Sequence, residues 1–377
     1  MNNLASGEIG YMESAMAKET VRTNADIASL LRLSARIGRD PLLVHASSGN
    51  TSLKLNDTLW IKASGKWLAN AEQEEILVPV SLAECQECLE EGRPLSAQNA
   101  GSRGSCLRPS IETFMHAVLP QRYVVHVHCV NTIAWAVRTD ANIQIAEKLS
   151  GLRWQWIPYV ASGLPLARAI QIASAQHPDT DIFVLGNHGL VVAGDECAIV
   201  DSLLSAVHRR LACHPRAVPT PKLSLLERIQ RFSHWRLPDA ETLHTLGTDV
   251  VSQRIIQRGI LYPCQAIFLR LTPALLPIHQ GLSDLTNRIQ KLDVSNPFIV
   301  IEGRGILINQ KITAAEYAVL KGLAEVVRRI EAGAPLKYLT DHEVGDLLSA
   351  DGHHYRMSAE RNGANPSLRP TEGLFAS

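Results

Sequence analysis

The sequence predicts an α/β protein that folds in two parts. Short runs with strand character, such as residues 52–55 and 123–130, are interspersed with segments in which apolar residues recur every three to four positions, as on one face of a helix. Three prolines between residues 215 and 221 interrupt this pattern, and a second set of strand and helix patterns follows. We therefore expect one unit at residues 21–215 and a smaller α/β unit at residues 222–358.

The first predicted elements are a helix and three strands. The helix covers residues 25–37 and ends at Gly38, which is followed by Pro41. The strands are expected at residues 42–45, 52–55 and 59–62, with Asn56-Asp57 as the turn of a hairpin between the last two.

Small polar residues occur at two ends of these strands. The run Ser47–Thr51 lies between the first two strands, and Ser64-Gly65 follows the third. The backbone N–H groups and hydroxyls of such runs can hold a phosphate or a carboxylate, although ordinary turn chemistry explains them equally well. Lys54 and Lys66 lie nearby and could assist an anion site.

A carboxylate is expected at the start of a later helix. A short acidic helix at residues 82–92 and a loop at residues 94–108 precede it. Pro109 and Ser110 mark its beginning, so Glu112 lies at its N-terminus.

The strand at residues 123–130 carries the most informative pattern. Side chains alternate between the two faces of a strand, so His126 and His128 leave the same surface. Two imidazoles in that position can bind a zinc ion or another divalent transition metal. Taken alone, a His-x-His pair is more often two polar residues on a solvated face, so a metal site needs a further ligand.

His188 is the best candidate for a third ligand. It lies in the turn Gly186-Asn187-His188-Gly189 between two apolar runs, residues 182–185 and 190–193, which predicts a hairpin. Turns at the ends of strands are where functional groups gather. Helices are expected on either side of this hairpin, at residues 164–175 and 195–212.

The second part has its own elements. Residues 296–308 predict a strand, a glycine-rich turn and another strand. Thr313 and Glu316 have the spacing of a capping box, which predicts the start of a long amphipathic helix. Residues 1–20 and 360–377 are expected to be flexible termini.

Charge and composition exclude several classes of function. The 37 basic residues balance 37 acidic residues, so no overall field attracts nucleic acid or an anionic membrane. No apolar run reaches the roughly 18 residues of a membrane span, and the first residues lack the pattern of a signal peptide. The seven cysteines are scattered and odd in number, which fits reduced thiols. We therefore expect a cytoplasmic protein.

Four separated motifs resemble those of the class II aldolase/adducin family. In chain order they are Gly49-Asn50-Thr51-Ser52, Ser110-Ile111-Glu112, His126-Val127-His128 and Asn187-His188-Gly189-Leu190. The resemblance covers roughly residues 22–212 and includes the L-fuculose-phosphate and L-rhamnulose-phosphate aldolases. It implies a class II aldolase-like three-layer domain with a central, mainly antiparallel sheet, followed by a smaller C-terminal α/β domain.

The resemblance also implies a reaction. It places Zn2+, or another divalent transition metal, on His126, His128 and His188, and makes Glu112 the acid/base of a retro-aldol cleavage. A ketose or ketose phosphate is the expected substrate, and the ion stabilises the enediolate formed when the bond beside the carbonyl breaks.

A set of small polar residues matches the anion-binding positions of the family. These residues are Asn50, Thr51, Ser64, Gly65 and Ser110. The fuculose-phosphate aldolases have Ser-Ser before the glutamate, whereas this chain has Ser110-Ile111, so half of that phosphate contact is missing. The tyrosine acid of the family has no clear counterpart, and Tyr159 is the nearest tyrosine.

Two other functions stay open. A metal-dependent sugar-phosphate epimerase or decarboxylase could use the same scaffold, although the 4-epimerases have aspartate where this chain has Glu112. A non-catalytic, adducin-like association module is the other, and the retained glutamate and three histidines count against it. Because family members are commonly tetramers, we expect a homo-oligomer, such as a tetramer, that binds a small sugar or sugar phosphate and neither nucleic acid nor a membrane.

Overall fold

The two predicted sets of strands and helices form two sheets. The computed structural model describes residues 23–95, 107–270, 273–278, 282–293 and 295–349. The α/β class is confirmed, since one sheet has seven strands and the other has four. The predicted flexible termini, residues 1–20 and 360–377, lie outside the described residues.

The first sheet has the strand order β3-β2-β1-β4-β7-β6-β5. Its strands are β1 (Asn50–Leu55), β2 (Thr58–Lys62), β3 (Leu77–Ser81), β4 (Tyr123–Val127), β5 (Trp154–Ile157), β6 (Ile182–Leu185) and β7 (Gly189–Gly194). Neighbouring strands are antiparallel except for the parallel pair β5 and β6. The expectation of a mainly antiparallel central sheet is therefore confirmed.

Helices cover both faces of this sheet, which makes three layers. They are α1 (residues 23–39), α2 (Leu82–Glu91), α3 (Thr113–Val118), α4 (Val130–Ala136), α5 (Ala141–Lys148), α6 (Leu164–Gln176) and α7 (Cys197–Arg210). Helices α1, α5 and α7 share a core with one face, where Val125 lies. Helices α2, α3 and α6 pack on the other face, where Val124 lies. Since side chains alternate along β4, His126 points to the second face.

Two strand predictions need correction. Residues 42–45 were expected to form a strand, but they form a turn and loop before β1. Leu43 and Val44 are buried, which explains their strand-like apolar pattern although they pair with no strand. The strand expected at residues 123–130 ends at Val127, so His128 lies one residue beyond it and α4 begins at Val130.

Two glycines let the backbones around β4 approach closely. Gly49 has φ +68°, and a Cβ there would lie 2.7 Å from the carbonyl oxygen of His126. A Cβ on Gly189 would lie 2.4 Å from the carbonyl oxygen of Val127. Any larger residue at either position would push β1 or β7 away from the strand that carries His126.

The second sheet has the order β8-β11-β10-β9. Its strands are β8 (Trp235–Arg236), β9 (Leu275–Leu276), β10 (Phe298–Ile301) and β11 (Gly305–Asn309), and the helices around it are α8 (Leu223–Gln230), α9 (Thr245–Thr248), α10 (Val250–Arg258), α11 (Leu282–Gln290), α12 (Ala314–Val327) and α13 (Asp341–Ser349). The predicted strand–turn–strand is β10 and β11, which pair antiparallel. The predicted capping box is present at the start of α12, where Thr313 and Glu316 exchange hydrogen bonds.

An apolar cluster joins the two predicted parts. Val130 and Ile133 of α4 pack in one cluster with Leu320 and Leu323 of α12. Helix α4 begins two residues after His128, so the second part packs against the helix that directly follows His126 and His128 in the chain.

No helix among the described residues is long and apolar enough to cross a membrane.

Candidate metal centre and active site

The three histidines predicted as metal ligands lie together. Their ring centroids are 4.9 Å apart in every pair, and the rings meet at 68–78°. One nitrogen from each of His126, His128 and His188 lies within 4.8 Å of the others. All three side chains are buried, with at most 4% exposure. Such an arrangement of imidazoles suits a divalent transition metal.

The local fold explains this convergence. His126 is the fourth residue of β4, and His128 follows the end of that strand. His188 is the last residue of the three-residue turn between β6 and β7, and β7 pairs directly with β4. Asn187 takes a left-handed conformation in this turn, with φ 51°, which turns the chain back beside β4.

Hydrogen bonding orients His126 so that one ring nitrogen faces His128. His126 Nδ1 lies 3.0 Å from the carbonyl oxygen of Leu190, which can only accept, so Nδ1 carries the proton and Nε2 keeps its lone pair. The Nε2 atoms of His126 and His128 are 3.1 Å apart. Two nitrogens that share a tetrahedral zinc ion at ~2.0–2.1 Å lie roughly 3.3 Å apart, so the spacing of this pair fits zinc.

Glu112 occupies the N-cap position of α3 and faces two of these histidines. Its carboxylate oxygens are 3.5 Å from His126 Nε2 and 3.4 Å from His188 Nε2. They also accept hydrogen bonds from Asn50 Nδ2 at 2.8 Å and from Ser162 Oγ at 3.2 Å. The sequence expectation that Glu112 lies at a helix start agrees with this position.

The charge state of Glu112 follows from these neighbours. Burial alone would raise its pKa, but the imidazoles of His126 and His188, the Asn50 amide and His116 outweigh burial and lower the pKa to about 2. Glu112 is therefore a carboxylate at neutral pH, and in the resting site it can accept a proton.

Two buried polar side chains, His116 and Ser52, support Asn50 through consecutive hydrogen bonds. Its carboxamide oxygen is hydrogen-bonded to His116 Nε2, and His116 Nδ1 lies 2.7 Å from Ser52 Oγ. Burial lowers the pKa of His116 well below its usual value, and the charges of His126 and Lys54 act in the same direction. A neutral His116 therefore donates from Nε2 to Asn50 and accepts at Nδ1 from the Ser52 hydroxyl.

A partly enclosed pocket lies over the histidines. Most of the predicted site residues line it: Asn50, Ser64, Gly65, Ser110, Glu112, His128 and His188. His126 lies beneath this lining, 3.1 Å from His128. We call the small polar residues of this lining, Ser47, Ser64, Gly65 and Ser110, its polar side.

A buried lysine adds a positive charge to the polar side. Lys62 lines the pocket, is 2% exposed, and donates from Nζ to the carbonyl oxygens of Ser47, Ala63 and Lys66 at 3.0, 3.3 and 2.6 Å. Its Nζ atom therefore lies close to the backbone of the small-residue turns.

The two lysines suggested by the sequence lie elsewhere. Lys54 Nζ donates to the carbonyl oxygen of Gln121 at 2.9 Å, and its side chain lines a different cavity beside α2 and α3. Lys66 forms an ion pair with Glu74 at 2.8 Å. Neither Lys54 nor Lys66 lines the pocket over the histidines, whereas Lys62 does.

Thr51 also differs from the expectation. Its neighbour Asn50 faces the pocket, so Thr51 points to the opposite side of β1, where its hydroxyl lies 2.7 Å from that of Ser34 on α1. Thr51 is fully buried and does not line the pocket.

The matched family agrees with the resemblance seen in the sequence. Residues 28–210 match the model of the Class II Aldolase and Adducin N-terminal domain. This segment therefore belongs to the class II aldolase and adducin family. The four sequence motifs, the seven-stranded sheet and the candidate metal centre all lie within this domain, whereas the second sheet and the later helices fall outside the match.

A curated relative of this class II aldolase domain is the "Uncharacterized oxidoreductase YuxG" of Bacillus subtilis strain 168. It is 29% identical over 184 residues, which is 45% of this chain and 26% of that protein. The chain thus spans about a quarter of the length of the curated relative that it matches.

Solved structures of the class II aldolase fold are also similar. The N-terminal class II aldolase domain of a conserved protein from Thermoplasma acidophilum is 24% identical, with a TM-score of 0.43, and the match covers 49% of this chain and 92% of that one. The L-fuculose-1-phosphate aldolase of Thermus thermophilus is 18% identical, with a TM-score of 0.34, and the match covers 55% of this chain and 98% of that one.

Tyr159 does not supply the missing tyrosine of the class II aldolases in this structure. It packs beside an apolar cluster that contains Ile260 and Leu339, and it is absent from the pocket lining. Among the described residues that line the pocket, none is a tyrosine. Ser162, which precedes α6, lines the pocket instead and donates to Glu112.

Several residues in or behind the pocket of this class II aldolase domain were missed by sequence reasoning. Ser162, Lys62 and His116 belong to the domain, and Cys264 and Ile267 come from the second part of the chain. A spacing of four residues between Glu112 and His116 was a usable signal, because both lie near one face of the same helix. No local pattern marks Cys264, which is 136 residues from the histidine that it contacts.

Proposed function

We propose that this chain is a metal-dependent class II aldolase that cleaves a ketose or ketose phosphate by a retro-aldol reaction. The observation that carries the proposal is the position of Glu112, whose carboxylate lies 3.4–3.5 Å from two of the three converging imidazoles. This position puts a proton acceptor beside a candidate metal centre in a pocket that also has polar and cationic groups.

His126, His128 and His188 are the residues that would hold the metal. A divalent ion, with Zn2+ as the first candidate, would supply Lewis-acid polarisation of a substrate carbonyl. The remaining steps depend on groups of the chain itself.

Glu112 is the proposed acid/base. As a carboxylate it accepts the proton of the substrate hydroxyl, the carbon–carbon bond breaks, and an aldehyde leaves while the bonding electrons pass to the other fragment as an enediolate. Glu112 then returns the proton to the carbon of that fragment, so the two proton transfers balance. Asn50 and Ser162 hold the carboxylate by donating to its two oxygens.

The polar side of the pocket is the proposed site for the anionic or polar end of the substrate. Ser64, Gly65 and Ser110 lie there, as does the buried ammonium group of Lys62. Ile111 also lines the pocket and its side chain offers no hydrogen bond, which leaves fewer donors for a phosphate than a pair of serines would provide.

The proposal is tested by the products formed from candidate substrates. Zinc-loaded protein is incubated with ketose phosphates, unphosphorylated ketoses and keto-acid phosphates, and the release of aldehyde, release of carbon dioxide and change in sugar configuration are followed in parallel. Aldehyde release that depends on Glu112 supports an aldolase. Carbon dioxide or an epimer without aldehyde would replace it with a decarboxylase or an epimerase, and no turnover together with no metal binding would favour an adducin-like association module.

A further inference from the structure

One segment of the second part of the chain covers the candidate metal centre. We call residues 260–269 the covering segment; it joins α10 to the region of β9 and includes a π-helical turn, Gln265–Leu269. Every residue from 260 to 269 is buried. The segment packs in one apolar cluster with Ile133 of α4 and with Leu323 of α12, so its position beside the candidate metal centre is held by packing on both sides.

The covering segment contacts one histidine directly. Cys264 Sγ lies 3.1 Å from His128 Nδ1, and both side chains are almost fully buried. The other ring nitrogen of His128 faces His126. Cys264 therefore lies on the outer side of a proposed metal ligand, in the position where a hydrogen-bond partner sets the tautomer and orientation of the ring.

A second contact of the covering segment is with the turn that contains Asn187 and His188. Asn187 Nδ2 donates to the carbonyl oxygen of Leu261 in the covering segment at 2.9 Å and to the carbonyl oxygen of Lys337 at 2.8 Å. Both acceptors belong to the second part of the chain, whereas Asn187 belongs to the class II aldolase domain. These bonds attach the turn that presents His188 to the second part.

The third contact is with the pocket itself. Pro263, Cys264 and Ile267 line it, and Ser162, Glu112 and His188 line it from the class II aldolase domain. The covering segment thus contributes an apolar wall of the pocket.

We propose that the second part of this chain completes the metal centre of the first, with Cys264 as a positioning residue for His128 and Asn187 as a positioning residue for His188. This inference rests on the proposed metal centre. Metal binding and the docking of the second part are then linked, because the same hydrogen bonds serve both.

The test measures zinc affinity by competition with a chromophoric chelator and, separately, the unfolding midpoint of the metal-free protein. Cys264→Ala removes the partner of His128, and we expect it to weaken zinc binding ~10–100-fold. Cys264→Ser keeps a hydrogen-bonding atom and is expected to restore most of the affinity. Cys85→Ala is the matched control, since Cys85 is also a buried free cysteine but lies on α2, in a core away from the histidines. This variant is expected to bind zinc as the wild type does.

A second variant tests the other contact without depending on Cys264. In Asn187→Gly, the glycine tolerates the left-handed backbone conformation of this position, and both side-chain hydrogen bonds to the second part are lost. We expect this variant to bind zinc more weakly. We also expect zinc to raise its unfolding midpoint less than it raises that of the wild type. Cobalt substitution gives a further readout, because the absorption bands of bound Co2+ are expected to shift in Cys264→Ala and to return in Cys264→Ser.

The outcomes separate the two proposals. If the wild type binds zinc and both Cys264→Ala and Asn187→Gly bind it within about twofold of wild type, the inference is overturned and the proposed function stands. If Cys264→Ala does not fold, the Asn187→Gly affinity decides by the same criterion. If the wild type binds no divalent metal, the proposed function fails and this inference fails with it.

Discussion

His116 holds the carboxamide of Asn50 in the orientation that serves Glu112. The imidazole Nε2 of His116 donates to the oxygen of Asn50, so the amide nitrogen of Asn50 must point the other way, where it donates to Glu112 Oε2 at 2.8 Å. A residue outside the pocket lining thus determines which end of the Asn50 amide meets the proposed acid/base.

The first prediction concerns this support. His116→Ala is expected to lower kcat about tenfold or more, because Asn50 can then rotate and Glu112 loses a fixed donor. Zinc content is expected to stay at the wild-type level, since no proposed metal ligand is changed. His116→Gln, which places a donor near the position of Nε2, is the matched control and should recover part of the activity. Wild-type kcat in a folded His116→Ala protein would show that Asn50 needs no such support.

The second prediction concerns Glu112 itself. Glu112→Gln keeps the size of the side chain but cannot accept a proton, so we expect kcat to fall by ~10²–10⁴-fold while zinc binding is retained. Glu302→Gln, at an exposed position in the turn after β10, is the control and should leave kcat unchanged. Steady-state cleavage rates and metal content of the same preparations provide the measurement. Equal rates for wild type and Glu112→Gln would contradict the proton-transfer role.

Much of this site was predictable from the sequence, and the reason is local. His126 lies on β4 and His128 one residue beyond its end, where the alternation of side chains still places both on one face. The Gly186–Gly189 turn has the pattern of a hairpin, so turn chemistry indicates the position of His188. Glu112 was predictable because Pro109 and Ser110 mark a helix start.

The remainder depends on contacts between distant parts of the chain. Lys62 was missed because alternation shows only which face it is on, and its three carbonyl acceptors come from the turns around it. Thr51 was misplaced because a motif match does not distinguish adjacent residues that point to opposite faces. Cys264 could not be predicted from the sequence, because it meets His128 only when the second part packs against α4.

A third prediction concerns phosphate. Ile111 lines the pocket beside Ser110, so Ile111→Ser adds a hydroxyl to the proposed anion site. One additional hydrogen bond of ~1 kcal/mol corresponds to roughly fivefold tighter binding of inorganic phosphate, which isothermal titration can measure. Ile143→Ser, at an exposed position on α5, is the control. Unchanged or weaker phosphate binding by Ile111→Ser would argue that the anion binds elsewhere.

A fourth prediction concerns pH and the packing of the two parts. His45 is buried, its Nε2 has no hydrogen-bond partner among the described residues, and its ring packs against Gly322 of α12. Burial lowers the pKa of His45 to about 4 from the ordinary 6.5; the charge of Lys321 adds to this, while the Pro41 carbonyl, Glu325 and Asp40 oppose it. The folded state thus favours neutral His45, and the unfolded chain binds the proton first as pH falls.

This linkage has a definite sign. The contribution of His45 to stability is fully present above pH 6.5 and is lost as pH falls from 6.5 towards 4, by on the order of 3 kcal/mol. Urea unfolding at several pH values should show a steeper loss in the wild type than in His45→Gln, which cannot titrate in this range. Identical pH slopes for the two proteins would mean that His45 does not titrate as its burial requires.

Zinc binding by the three histidines is measured most directly by equilibrium dialysis of the full chain against Zn2+, followed by metal analysis. We expect the wild type to bind one ion per chain at this centre, and His188→Ala to lose at least about 100-fold in affinity because only two imidazoles remain. His177→Ala is the control, because His177 is an exposed histidine at the end of α6, and this variant should bind zinc as the wild type does. A wild-type chain that takes up no divalent metal, or a His188→Ala variant that binds it as tightly as wild type, would contradict a metal centre at His126, His128 and His188.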